Sequence, residues 1–150
     1  IKGKTYTSRG TLKLDYREDE ESKHILQQVK VIKLDDWAGL ESLKKIDFIK
    51  IDVEGNEMNT LRSAKKILEE YRPTLMVEME QRHHAEPLQQ LISEIEHWGY
   101  GAFFLNRTTF ELEKLTENII TGTDGNRVGS KAAYINNIIF IPQPLKNTRQ

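Results

Sequence analysis

The sequence predicts an α/β domain: a mainly parallel sheet with flanking helices. Short apolar runs at 46–55, 74–80, 100–105 and 133–142 alternate with segments whose apolar residues recur at helical spacing. The run IDFIKIDVEG is apolar on both faces at its start, as strands covered on both sides tend to be. Gly55, Pro73, Gly99 and Pro142 punctuate the boundaries between runs.

One domain is expected over 1–150, with an N-terminal hairpin and polar loop at 1–28, a core at 29–142 and a frayed tail at 143–150. Leu12 and Leu14 alternate with polar neighbours beside Gly10, which reads as a hairpin or edge strand. DYREDEESKH at 15–24 reads as a solvated loop, an exposed helix face or an acidic binding surface. VKVIKLDDW reads as a strand ending in a turn, with Asp36 capping a short helix through Leu43. After the 46–55 strand, Gly55 breaks the run and Asn56 is placed to cap a helix, with Glu57 favourable in its first turn. Met58, Leu61, Ala64, Ile67 and Leu68 form that helix's apolar stripe, and Pro73 ends it. TLMVEME is a second strand. Pro87 opens a helix carrying Leu88, Leu91, Ile92, Ile95 and Trp98, and Gly99 stops it. YGAFFL is a third strand, 106–132 a long loop or loose hairpin, and AYINNIIFIP the last strand.

Length and composition narrow the function. A chain of 150 residues, 37% apolar and 30% charged, can bury a core without covalent staples. A net charge of −1 excludes a strongly basic nucleic-acid binder. The absence of cysteine excludes disulfides, thiolate metal sites and a Cys nucleophile, and fits a cytoplasmic protein. Apolar runs of about five residues fall short of the roughly 20 that span a bilayer. The start at Ile1 rather than Met suggests a trimmed piece of a larger protein.

In parallel α/β sheets ligands sit beyond the carboxyl ends of the strands, and three acids fall there. Asp52 and Glu54, two residues apart, are expected on one strand face, with Glu78 near the end of the next strand. On neighbouring strands about 4.8 Å apart they would share a rim and raise one another's pKa unless a cation or donor compensates. The plainer alternative is that Asp52 and Glu54 only cap the following turn. A divalent cation held by Asp52, Glu54, Glu57 and Glu78 is a rival use, although the spacing matches no EF-hand loop. His83 and His84 follow on the same rim, either as a general base or as solvated loop residues. Lys50 pairs with an acid or reaches solvent. His24 and His97 read as structural or surface, and Met58, Trp98, Phe103 and Phe104 as core. The Asn106-Arg107-Thr108 sequon has no secretory context. No dinucleotide fingerprint, P-loop, nucleophile elbow or zinc-helix motif is present.

Over IDFIKIDVEGNEMNTLRSAKKILEEYRPTLMVEME the sequence resembles the FkbM-type methyltransferases, which carry such a strand, an acid near the start of the next helix and a P-x-L/I-x-V-E strand. VKVIKLDDW, GYGAFFL and NNIIFIP resemble further family segments, so the resemblance covers roughly 29–142. It implies a partial Rossmann-like class I methyltransferase fold and S-adenosylmethionine as cofactor. The reaction implied is O-methylation of a hydroxyl on a small molecule, sugar or lipid-like acceptor. On that reading Asp52, Glu54 and His83 are catalytic, Asp35 and Asp52 lie near the cofactor, and Glu57 and Glu78 contact the acceptor. The family's glycine-rich cofactor loop and ribose-binding acid are absent. The chain therefore reads as a C-terminal half that alone binds S-adenosylmethionine weakly and is inactive, with an exposed sheet edge open to self-association. Two other readings stay open: a non-catalytic protein-interaction module of the same shape, and a divalent-metal enzyme using the carboxylate rim.

Overall fold

Isoleucine- and leucine-rich runs become the strands, and the helical stripes become short helices packed against them. The computed structural model describes residues 29–116, 127–128 and 133–144. Its strands are β1 (Phe48–Ile51), β2 (Thr74–Glu78), β3 (Tyr100–Leu105), β4 (Leu112–Lys114), β5 (Arg127–Val128), β6 (Ala133–Tyr134) and β7 (Asn137–Pro142). The helices are α1 (Glu57–Arg62), α2 (Lys65–Glu70) and α3 (Leu88–His97). The expected hairpin at 1–14, the polar run at 15–24 and the tail beyond 144 lie outside the described residues.

Five strands form one sheet in the order β1-β2-β7-β3-β4, and β5 pairs with β6 in a separate ribbon. β1 and β2 are parallel, with Ile51 opposite Val77. β7 is antiparallel to both β2 and β3, and β4 is antiparallel to β3. The expectation of a mainly parallel sheet is therefore corrected: among the described residues only the β1–β2 pairing is parallel. The helical crossovers do keep β1, β2 and β3 running one way, as the alternation predicts. The last strand then returns and inserts between β2 and β3, so each of its contacts is antiparallel. The last strand is also shorter than expected, being interrupted at 135–136 between β6 and β7.

One sheet face carries the core. Ile51, Leu75, Val77, Phe140, Ile138, Ala102 and Phe104 sit side by side by register and are buried. They cluster with Met58, Leu61, Ile67 and Leu68 from α1 and α2 and with Leu88, Leu91, Ile92 and Ile95 from α3. Neighbours on the other face, such as Met76 and Ile139, are only half-buried. Among the described residues the helices thus cover one face rather than both.

The single helix expected after Asn56 is broken at Ser63–Ala64, and Asp35 is the wedge. Its amide donates to the Ser63 carbonyl, and its carboxylate accepts from the amides of Lys66 and Ile67. That capping starts α2 afresh. The run 29–34 is not a strand, since no strand lies beside it among the described residues to complete a ladder. It leads instead into 3-10 turns at Leu34–Asp36 and Ala38–Ser42. Asp36 caps no α-helix there; Trp37 occupies the cap position of the second turn. At the far end of α3, Gly99 stops the helix as expected, at a φ of 88° open to glycine.

Candidate functional site

The exits of β1 and β2 lie side by side because the two strands are parallel neighbours, and their loops bring together most of the acids expected there. Asp52 directly follows Ile51 and stands beside Glu78 at the end of β2. Lys50 Nζ donates to Asp52 Oδ2 at 2.7 Å, with both side chains largely exposed. That hydrogen bond raises the Lys50 ammonium above its ordinary value. Asn136 Nδ2 donates to Glu78 Oε1 at 2.7 Å. Partial burial, and then the neighbouring Asp52 charge, push the Glu78 carboxyl above its usual range.

Glu54 does not share a strand face with Asp52, as the alternation predicts it would. β1 ends at Ile51, and Glu54 (φ 50°) and Gly55 (φ 89°) are both left-handed. The chain turns sharply, and Glu54 reaches toward the loop after β2. There Glu54 Oε2 lies 3.4 Å from His83 Nε2, and Glu80 Oε2 lies 3.7 Å from the same nitrogen. Glu80 in turn pairs with Arg82. The His83 side chain is 5% exposed and that of Glu54 33% exposed, so the imidazole is enclosed and the carboxylate faces outward.

Glu57, expected to contact an acceptor, is not available to one. Its side chain is 2% exposed, and its Oε1 accepts from the amides of Gly55 at 2.8 Å and Val53 at 3.3 Å. Its Oε2 lies 3.2 Å from His84 Nε2, whose side chain is 5% exposed. Burial alone would raise the Glu57 carboxyl. The His84 ring and the Gly55 amide outweigh it and hold the group below the usual carboxylate range. His83 and His84 are thus not solvated loop residues. Asn56 also differs from expectation, because its side chain accepts from Asn59 Nδ2 and caps no backbone amide of α1.

Asp35, expected near the cofactor, has both carboxylate oxygens engaged in capping α2. A groove of about 660 Å³ runs along α1, lined by Val31, Ile32 and Trp37 on one side and Asn56, Asn59 and Thr60 on the other. Neither Asp52 nor Glu54 lines it. Among the described residues no three acidic or histidine side chains are grouped as metal ligands would be. Sequence reasoning passed over Glu80 and Asn136, and gave His84 no partner. The available signal was Glu80 in the short segment between the β2 strand and the histidine pair.

Fold and site together define an α/β protein in which acids and imidazoles collect where two parallel strands end. The Methyltransferase FkbM domain model matches residues 3–101, about two thirds of the chain. The chain belongs to this methyltransferase family. No curated protein and no solved structure matches it.

Proposed function

We propose that the chain serves S-adenosylmethionine-dependent O-methylation of a hydroxyl on a small, saccharide or lipid-like acceptor, with the β1–β2 rim as the reacting face. The Glu54–His83 contact carries this reading. It joins an outward-facing carboxylate to an enclosed imidazole across two loops at the strand ends, where α/β sheets bind ligands. The residues also fit a cationic donor. Asp52, Glu54 and Glu78 outnumber Lys50, and the Glu78 carboxyl is raised first by burial and then by the Asp52 charge, the part that a sulfonium would relieve. A glycine-rich cradle for the adenosine is not among the described residues.

The donor supplies an electrophilic methyl carbon. Asp52 faces the donor side and favours positive charge there. Glu54 accepts a hydrogen bond from the acceptor hydroxyl and orients it, which is the main source of rate in an in-line displacement. Glu54 would take the hydroxyl proton and pass it to the enclosed His83 behind it, as the new O–C bond forms and the donor's S–C bond breaks to leave a neutral thioether. Asp35 acts at one remove, by fixing α2.

Titration of the ¹⁵N-labelled chain with S-adenosylmethionine and, separately, with S-adenosylhomocysteine, whose sulfur is uncharged, tests this. Weak binding is expected, with larger amide shifts at 52–55 for the sulfonium compound, and Asp52→Asn should erase the difference. No perturbation at millimolar donor, or equal responses to both compounds, would overturn the reading.

A further inference from the structure

Glu57 and His84 are the most deeply buried ionisable pair around the rim, and the chemistry above leaves them unused. Their 3.2 Å approach falls short of ideal hydrogen-bond geometry, yet Glu57 Oε2 and His84 Nε2 have no other partner among the described residues. A carboxylate buried this far is costly unless its oxygens are satisfied. The other oxygen is satisfied by the two amides that flank Glu54, those of Val53 and Gly55.

Between those amides the backbone is strained. Glu54 is a non-glycine residue at φ 50°, and such a conformation persists only where its surroundings hold it. Glu57 supplies that hold from within the turn, and His84 holds Glu57 from the opposite loop. The two loops therefore meet in register: successive histidines, 83 and 84, face the acids at 54 and 57. A helix N-terminal acid whose only task was to favour α1 would need neither burial nor an imidazole partner.

We propose that Glu57 and His84 are a positioning pair that sets the Glu54–Gly55 turn and so aims the Glu54 carboxylate at His83. Its bearing on proton transfer rests on the methyltransferase reading, whereas the geometry and its test do not. Other titratable or charged groups near the turn include Asp52 with its partner Lys50, Glu54, His83, and Glu80 with its partner Arg82.

The test compares His84→Leu with His84→Gln on the ligand-free, ¹⁵N-labelled chain. Hydrogen exchange at the Val53 and Gly55 amides reports the turn, and the pH profile of the Gly55 amide shift reports the Glu57 carboxyl. His84→Leu should speed Gly55 exchange about tenfold, the scale of one lost buried partner, and move the acid step of the profile upward. Leu75 and Val77, in the β2–β7 ladder, should exchange as before. His84→Gln keeps a donor and should stay near wild type. Unchanged Gly55 exchange and profile in His84→Leu, or identical behaviour of the two variants, would overturn the pair. If His84→Leu does not fold, Glu57→Gln is compared with intact Glu57, both in a Glu54→Gln background: the acid step at Gly55 should vanish with Glu57→Gln, and a surviving step overturns the assignment. Failure of the donor titration would remove the methyltransferase reading and leave this result standing.

Discussion

Asp35 and Glu57 each accept hydrogen bonds from two backbone amides, yet only one of them is buried. Asp35 sits half-buried on the first turn of α2, where water can still reach its carboxylate. Glu57 is closed off within the β1–α1 turn and has recruited an imidazole from another loop. Burial explains the difference. Two amides suffice for an acid that keeps part of its hydration, whereas an enclosed carboxylate needs its second oxygen matched as well. The same local device is thus a helix cap in one place and an inter-loop tie in the other.

The largest effect should come from cutting the buried tie. Glu57→Ala strips two amides and His84 of their partner and leaves a cavity, a loss of about 3 kcal/mol in unfolding free energy. The loss should depend on pH in a definite sense. The Glu57 carboxyl lies below its ordinary value in the fold, so its contribution is complete above the unfolded value of about 4.3 and fades as pH falls through the folded one. Denaturation curves at neutral and acid pH should therefore show wild type and variant converging toward low pH. A gap that stays constant down the acid limb would mean that Glu57 acts by packing rather than by charge.

That same turn shows where sequence reasoning reaches its limit. The strands at 46–55, 74–80 and 100–105 and the α3 stripe were legible because apolar periodicity is a local signal. The rim position of Asp52 and Glu78 followed, since a β–α–β crossover between neighbours leaves both strand ends together. Three features were not local. The insertion of β7 between β2 and β3 depends on where a distant segment docks. The break between α1 and α2 depends on Asp35, far from it in sequence, which arrives to take the Ser63 carbonyl. The Glu54 turn departs from strand alternation at a non-glycine residue, and its support comes from His84, about thirty residues on. Polar loop composition around 81–86 suggested solvent, whereas folding encloses both imidazoles.

The exposed member of the comparison should be worth less. Asp35→Ala removes a cap from α2 and should cost about 1 kcal/mol, in the range of helix caps at other surfaces. Because α2 carries Ile67 and Leu68 into the core, the helix should persist in the variant with faster exchange at the Lys66 and Ile67 amides. A cost equal to that of Glu57→Ala would erase the distinction drawn from burial.

The smallest effect is expected to have the opposite sign. Glu78 is a third carboxyl with a fixed partner, Asn136, but it stands beside Asp52 and its proton is held above the ordinary range. A carboxyl raised in the fold destabilises it at neutral pH, and the penalty disappears as pH falls below the unfolded value. Glu78→Gln keeps an acceptor for Asn136 and removes the repulsion, so it should leave the fold as stable or firmer by up to about 1 kcal/mol at neutral pH. The gain should shrink on acidification. Such a result would separate acids that hold the turn from an acid kept at some expense to stability, as a site for a cationic donor would require. A clear loss of stability at neutral pH would instead make Glu78 a structural partner of Lys50, and the rim would have no surplus negative charge to offer.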